Sequence, residues 1–172
     1  MLRILNKIRK TGIVTEPVAR DRSLDELGIK LKRLVDRRMR GSFAIRALDA
    51  GSCNGCELEI HALNNPFYDV ERFGVHFVAS PRHADALLVT GPVSRHMAAA
   101  LQRSYAATPA PKWVIAMGDC AVDGGEFRGC YATLGGVERV VAVDLVIPGC
   151  PPTPSAVLQG LLALLQVQDA GD

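Results

Sequence analysis

The decisive stretch is Asp49-Ala50-Gly51-Ser52-Cys53-Asn54-Gly55-Cys56-Glu57-Leu58-Glu59-Ile60-His61. It joins an apolar run at residues 43–48 to a helical pattern, with a C-x2-C pair at the junction. Gly51 and Gly55 permit a tight loop whose backbone N–H groups face whatever the thiols bind. The pattern predicts a strand over 43–48 and a helix over 56–63, with Glu57 and Glu59 suiting the positive end of that helix. Asn64-Asn65-Pro66 ends it.

Downstream, short apolar runs alternate with helical patterns. Strands are expected over 75–79, 86–90 and 112–117, with a fifth inside 140–147. Gly91-Pro92 leads into a helix on which Val93, Met97, Leu101 and Tyr105 repeat every four residues. Thr153-Pro154 opens a last helix with Pro at its first position, and Leu158, Leu161, Leu162 and Leu165 give it an apolar face. Such alternation predicts an α/β fold, a parallel sheet with helices on both faces. In these sheets, sites form beyond the carboxyl ends of the strands. Cys53 and Cys56 follow the first strand, Cys120 the fourth and Cys150 the fifth. In a flavodoxin-like order 2-1-3-4-5, those loops share one edge.

Upstream, residues 1–40 carry 12 Lys and Arg against 5 Asp and Glu, while residues 41–172 carry 8 against 13. A basic segment, 1–41, thus precedes a mildly acidic domain, 42–172. Residues 1–22 show no clear period and read as an extended arm. Ser23-Leu24-Asp25-Glu26 fits a capping box, and Leu24, Leu27, Leu31, Leu34 and Val35 recur at helical spacing. The basic face of that helix has two readings: contact with a membrane protein or lipid headgroups, or solvation while the apolar face packs on the domain. No leader or membrane-spanning run is recognisable, so an intracellular protein is expected.

Five cysteines in a reducing compartment point to metal binding or redox chemistry rather than disulfides. Four thiolates gathered around a compact body suit an iron–sulfur cluster. A zinc site also takes four thiolates, usually as two close pairs. Here one pair is joined by singletons 64 and 94 residues beyond Cys56. A thioredoxin-type C-x-x-C leaves Cys120 and Cys150 without a role. A buried structural thiol suits Cys130 best. The stretch between Cys120 and Val140 is long for a connection and is expected to cover the site. Glu57 adjoins a candidate ligand and has three readings: a proton relay, a tuner of potential, or a charge at a helix N-terminus. Arg72 and Arg82 are read either as positive charge near the site or as partners in salt bridges. His61, His76, His83 and His96 show no ligand spacing.

Residues 49–61, Arg72-Phe73-Gly74, Ser80-Pro81-Arg82, residues 89–97, Met117-Gly118-Asp119-Cys120 and residues 143–154 together resemble one superfamily. It comprises the small subunits of [NiFe] hydrogenases and the 20 kDa subunit of respiratory complex I. The resemblance covers about 42–165. It implies a flavodoxin-like domain with one [4Fe–4S] cluster held by Cys53, Cys56, Cys120 and Cys150, with Cys130 at a non-ligand position. The complex I subunit typically has adjacent cysteines where this chain has Cys53-Asn54-Gly55-Cys56. The Ser-Cys-Asn-Gly-Cys-Glu form is similar to energy-converting, membrane-bound hydrogenases of the formate hydrogenlyase type. The resemblance therefore implies an oxidoreductase subunit at the cytoplasmic side of the inner membrane. Its implied partners are a hydrogenase-like large subunit, a ferredoxin-like iron–sulfur subunit and integral membrane subunits, with no nucleic acid. Nickel, where present, would lie on the large subunit. The alternatives are quinone reduction in complex I and a non-catalytic zinc scaffold.

Overall fold

The computed structural model describes residues 2–12 and 22–167. Two helices come first, α1 (Leu2–Thr11) and α2 (Arg22–Arg38). Then follow β1 (Phe43–Asp49), α3 (Gly55–Leu63), β2 (Val75–Phe77), β3 (Ala86–Thr90) and α4 (Ala98–Ala107). The chain continues through β4 (Trp113–Met117), α5 (Asp119–Asp123), β5 (Leu145–Ile147) and α6 (Pro154–Val167). The five strands form one parallel sheet in the order β2-β1-β3-β4-β5. That is the flavodoxin-like order expected from the sequence.

The two central strands explain the uninterrupted apolar runs. Every residue of β3 and β4 is buried, because helices cover both faces. Alternate side chains feed two cores. Phe43, Ile45, Leu88, Ile115 and Met117 meet Leu31, Val35, Leu158 and Leu161 on one face. Leu48, Leu87, Val89, Val114 and Ala116 meet Val93, Leu101, Ala121 and Val137 on the other. Fully burying one such side chain contributes about 1.5–3 kcal/mol, so the sheet direction is fixed strongly.

Several expectations change here. Residues 2–11 form a helix, not an extended arm; residues 13–21 of that arm lie outside the described residues. The second helix already includes Arg22, one residue before Ser23. Its Leu24, Leu31, Leu34 and Val35 are buried in the sheet core, so its apolar face packs on the domain and is not left for a membrane. The helix after β3 starts at Ala98, five residues later than Val93. The intervening backbone is taken by other partners. Val93 N–H donates to Gly135 O at 2.8 Å, Leu134 N–H to Val93 O at 2.7 Å, and Ser94 N–H to Ala50 O at 2.8 Å. The first turn of the expected helix is thus used to tie the 132–135 segment to the loop after β1.

Helix α2 approaches the turn at Val70–Phe73 so closely that Gly28 has no room for a side chain. A β-carbon there would lie 2.1 Å from the Phe73 ring. Gly28→Ala is expected to cost about 1–3 kcal/mol through overpacking, read as a lowered Tm. Adding Phe73→Leu should recover part of that loss, because a smaller side chain vacates the contact.

Candidate metal centre

The site is assembled by three loops at the carboxyl edge of the sheet. Cys53 lies between β1 and α3, Cys120 in the first turn of α5, and Cys150 between β5 and α6. Cys56 opens the first turn of α3 beside Cys53. Cys53 and Cys150 are exposed, whereas Cys56 and Cys120 are partly covered. The Cys56 thiol is directed at the end of β4, its Sγ 3.8 Å from Met117 O.

Each loop is fixed by its own polar contacts. Asp49 Oδ1 accepts the N–H groups of Gly51 and Ser52, both at 2.7 Å. Asn54 takes a left-handed conformation before α3, with its N–H on Ser52 Oγ at 3.1 Å. The Cys120 and Cys150 loops clasp one another: Asp119 N–H donates to Gly149 O at 2.9 Å, and Gly149 N–H to Asp119 Oδ1 at 2.8 Å. Gly118 N–H donates to Ile147 O at 2.8 Å, extending the sheet by one rung.

Glycines leave the space the sulfurs use. Gly118 has φ 89°, a backbone conformation that favours glycine, and a β-carbon there would stand 2.6 Å from Cys56 Sγ. At Gly125 it would stand 2.9 Å from Cys120 Sγ. Pro151 flanks the other side, with Cδ 3.8 Å from where a Gly55 side chain would begin.

The thiols feel one another. Burial pushes the Cys56 thiol up to about 12, with Glu57 and then Cys53, Cys120 and Cys150 adding negative potential. Cys120 is also raised, first by burial and then by Cys150, Cys53 and Asp119, while a backbone hydrogen bond at Glu126 pulls the other way. The four are therefore electrostatic neighbours. They do not close on a point, however: among the described residues no three His, Cys, Asp or Glu side chains form a group that could hold a metal ion.

Glu57 belongs to a clamp that sequence reading did not find. Its carboxyl accepts the Ser52 hydroxyl at 2.6 Å on one oxygen and the Thr90 hydroxyl on the other. Thr90 is only 1% exposed, and its Oγ1 also lies 3.4 Å from Leu48 O. The clamp joins the ends of β1 and β3 to the first turn of α3. The one available signal was a threonine closing the apolar strand Ala-Leu-Leu-Val-Thr, since a buried hydroxyl needs a partner.

Other candidates fall elsewhere. Cys130 is exposed rather than buried. It lines a cleft of about 650 Å³ with Arg95, Arg128, Tyr131 and Arg139. The Cys120–Val140 stretch is not a plain loop, since it holds most of α5 and 3₁₀ turns at Gly125–Phe127 and Val137–Arg139. Arg72 lies on the turn before β2, paired with Asp25 at 3.1 Å and stacked on Phe73. Arg82 lies near the amino ends of β3 and β4, in a cleft with Asp85, Lys112 and Trp113. Neither arginine stands at the thiol edge. His61, His83 and His96 are exposed.

The fold and site define an α/β protein of flavodoxin-like topology whose cysteines converge beyond the strand ends. The chain belongs to the family described as NADH ubiquinone oxidoreductase, 20 kDa subunit, which matches residues 53–164. It is 43% identical over 143 residues to formate hydrogenlyase subunit 7 of Escherichia coli, covering 83% of this chain and 56% of that protein. The chain thus spans little more than half of that relative's length. It is 48% identical over 119 residues to a probable membrane-bound hydrogenase subunit, mbhJ, of Pyrococcus furiosus, covering 69% of this chain and 71% of that one. Among solved structures it resembles a chain of the membrane-bound sulfane sulfur reductase, an archaeal respiratory membrane complex. There the TM-score is 0.69 at 32% identity, over 81% of this chain and 77% of that chain. A chain of the NAD+-reducing [NiFe]-hydrogenase shares the fold, with TM-score 0.57 at 19% identity over 73% and 92% of the two chains.

Two outcomes test this geometry. Thr90→Val is expected to cost about 1–3 kcal/mol by stripping Glu57 of a buried donor, with Thr90→Ser restoring most of it in urea melts. In the metal-free chain, alkylation should reach the exposed Cys53, Cys130 and Cys150 first and Cys56 last. Because only the thiolate reacts, the Cys56 rate should climb about tenfold per unit from about pH 8 to 10, where an ordinary thiol levels off. Mass spectrometry of labelled peptides reads both the order and the slope.

Proposed function

We propose that this chain is the electron-transfer small subunit of a membrane-bound, energy-converting [NiFe]-hydrogenase-type complex. In this reading Cys53, Cys56, Cys120 and Cys150 hold one [4Fe–4S] cluster. The observation that carries it is the gathering of the Cys53–Cys56 pair with the sequence-distant Cys120 and Cys150 at one sheet edge, in a chain 43% and 48% identical to hydrogenlyase and hydrogenase subunits.

The donor set suits the group. Four thiolates are the usual ligands of a [4Fe–4S] cluster. Zinc sites take their thiolates more usually as two close pairs, whereas here one pair is joined by two distant single cysteines. When bound, the cluster supplies one-electron transfer at a potential set by its surroundings. The protein's part is positional. Gly118 and Gly125 leave the sulfurs room, the Asp119–Gly149 clasp keeps Cys120 and Cys150 in register, and the Thr90–Glu57–Ser52 clamp holds the C-x2-C loop. With both oxygens engaged, Glu57 acts in this reading as a positioning residue rather than a swinging proton relay. The raised Cys56 and Cys120 thiols must give up their protons on loading, so assembly is favoured by rising pH.

The exposed side at Cys53 and Cys150 is where a large subunit would exclude water and exchange electrons. A ferredoxin-like subunit and integral membrane subunits complete the proposed assembly. Among the described residues no helix is long and apolar enough to cross a membrane, which supports peripheral attachment, here assigned to the cytoplasmic side. A second reading, quinone reduction in a complex I, is favoured by the family match itself.

Anaerobic elemental analysis of the native complex tests these readings. At least about four iron and four sulfide per copy of this chain are expected, the ferredoxin-like subunit adding its own, with stoichiometric nickel contributed by the complex. Iron and sulfide without nickel would shift the assignment to quinone chemistry; zinc alone would overturn the cluster. Alanine at Cys53, Cys56, Cys120 or Cys150 should abolish the cluster signal, whereas Cys130→Ala retains it. An unchanged signal in Cys120→Ala would refute the ligand set.

A further inference from the structure

The first helix presents a physical problem that the cluster site does not solve. Helix α1 has ten residues, and isolated helices shorter than about 12–15 residues are marginal in water. Helices in proteins are stabilised mainly by covering an apolar face, yet no residue of α1 is buried. Leu2, Ile4, Leu5 and Ile8 are 78%, 64%, 57% and 62% exposed. At 3.6 residues per turn these four fall in one half of the helix circumference. Arg3, Lys7 and Lys10 fall in the other half, and no acidic residue is present in the helix. Arg9 falls inside the apolar arc, between Leu5 and Leu2, where its stem can lie along apolar surface while the guanidinium reaches outward. The two cations of the last turn, Arg9 and Lys10, also suit the negative end of the helix.

We propose that α1 is an in-plane lipid anchor. It lies along an anionic bilayer surface, with Leu2, Ile4, Leu5 and Ile8 at the acyl boundary and its four cations at the phosphates. Charge selects this occupant. A purely apolar groove on a protein would satisfy the leucines and isoleucines but leave four uncompensated cations beside it, whereas an anionic lipid surface meets both halves at once. Of the two helices in the basic segment, α2 spends its apolar face on the sheet core, which leaves the exposed apolar face of α1 for the bilayer.

Flotation of the full-length, cluster-loaded chain with vesicles tests the proposal. The chain should float with mixed phosphatidylglycerol and phosphatidylcholine vesicles, be released as salt rises, and stay behind with phosphatidylcholine alone. Leu5→Glu with Ile8→Glu should lower the bound fraction about tenfold or more, as should Lys7→Glu with Lys10→Glu. These positions lie on an exposed helix, so visible absorbance and Tm should match the parent and certify the fold. Flotation that ignores the Leu5 and Ile8 substitutions would overturn the proposal. So would equal binding to uncharged vesicles. Absence of vesicle binding, with the native complex losing the chain only when α1 is altered, would assign α1 to a protein partner instead.

Discussion

All strands of the sheet run the same way, and the site depends on that shared direction. Parallel strands need crossover helices, and those helices must cover both faces. The burial of every residue of β3 and β4 shows how completely this is met. Once the direction is fixed, the residues following β1, β4 and β5 emerge at one edge. Cysteines separated by 64 and 94 residues along the chain then become neighbours through topology alone. The polar contacts at the edge refine this placement: without the sheet, the clasp between Asp119 and Gly149 would have nothing to join.

What the sequence revealed follows from which forces are local in character. The apolar runs of β3 and β4 and the Leu spacing of α6 are periodic signals, so the elements and the strand order were legible. The thiol edge was legible too, because it needs only the strand ends and the rule that sites lie beyond them. The clamp on Glu57 was not, since Ser52, Glu57 and Thr90 meet only after β1 and β3 have paired. The start of α4 was misplaced for the same reason. Val93 and Ser94 satisfy backbone groups from the 132–135 segment and from Ala50, a demand no local pattern announces. Cys130 was assigned to the interior on residue type alone, and type is a weak guide inside a turn-rich segment. The N-terminal helix was missed because four apolar residues in ten gave too short a repeat to separate from an irregular arm.

The electrostatics of the edge oppose its assembly. Burial and nearby negative groups hold the Cys56 and Cys120 thiols protonated, so bringing four thiolates together is unfavourable until positive charge arrives. The fold offsets this with rigidity rather than with cations. Arg72 and Arg82 lie away from the thiols, and among the described residues no arginine charge acts on Cys56 or Cys120. A site built from hydrogen-bonded loops and glycine gaps is shaped before it is charged.

Exposure differs across the four thiols, and that asymmetry sets an order of events. Cys56, half-buried against the end of β4, is placed by folding itself. Cys53 and Cys150 face outward on loops that remain reachable. On the proposed reading, a cluster would enter from that outward side, before a neighbouring subunit covered it. Folding, loading and capping would then form a one-way sequence, and a chain capped early would be sealed without its cargo.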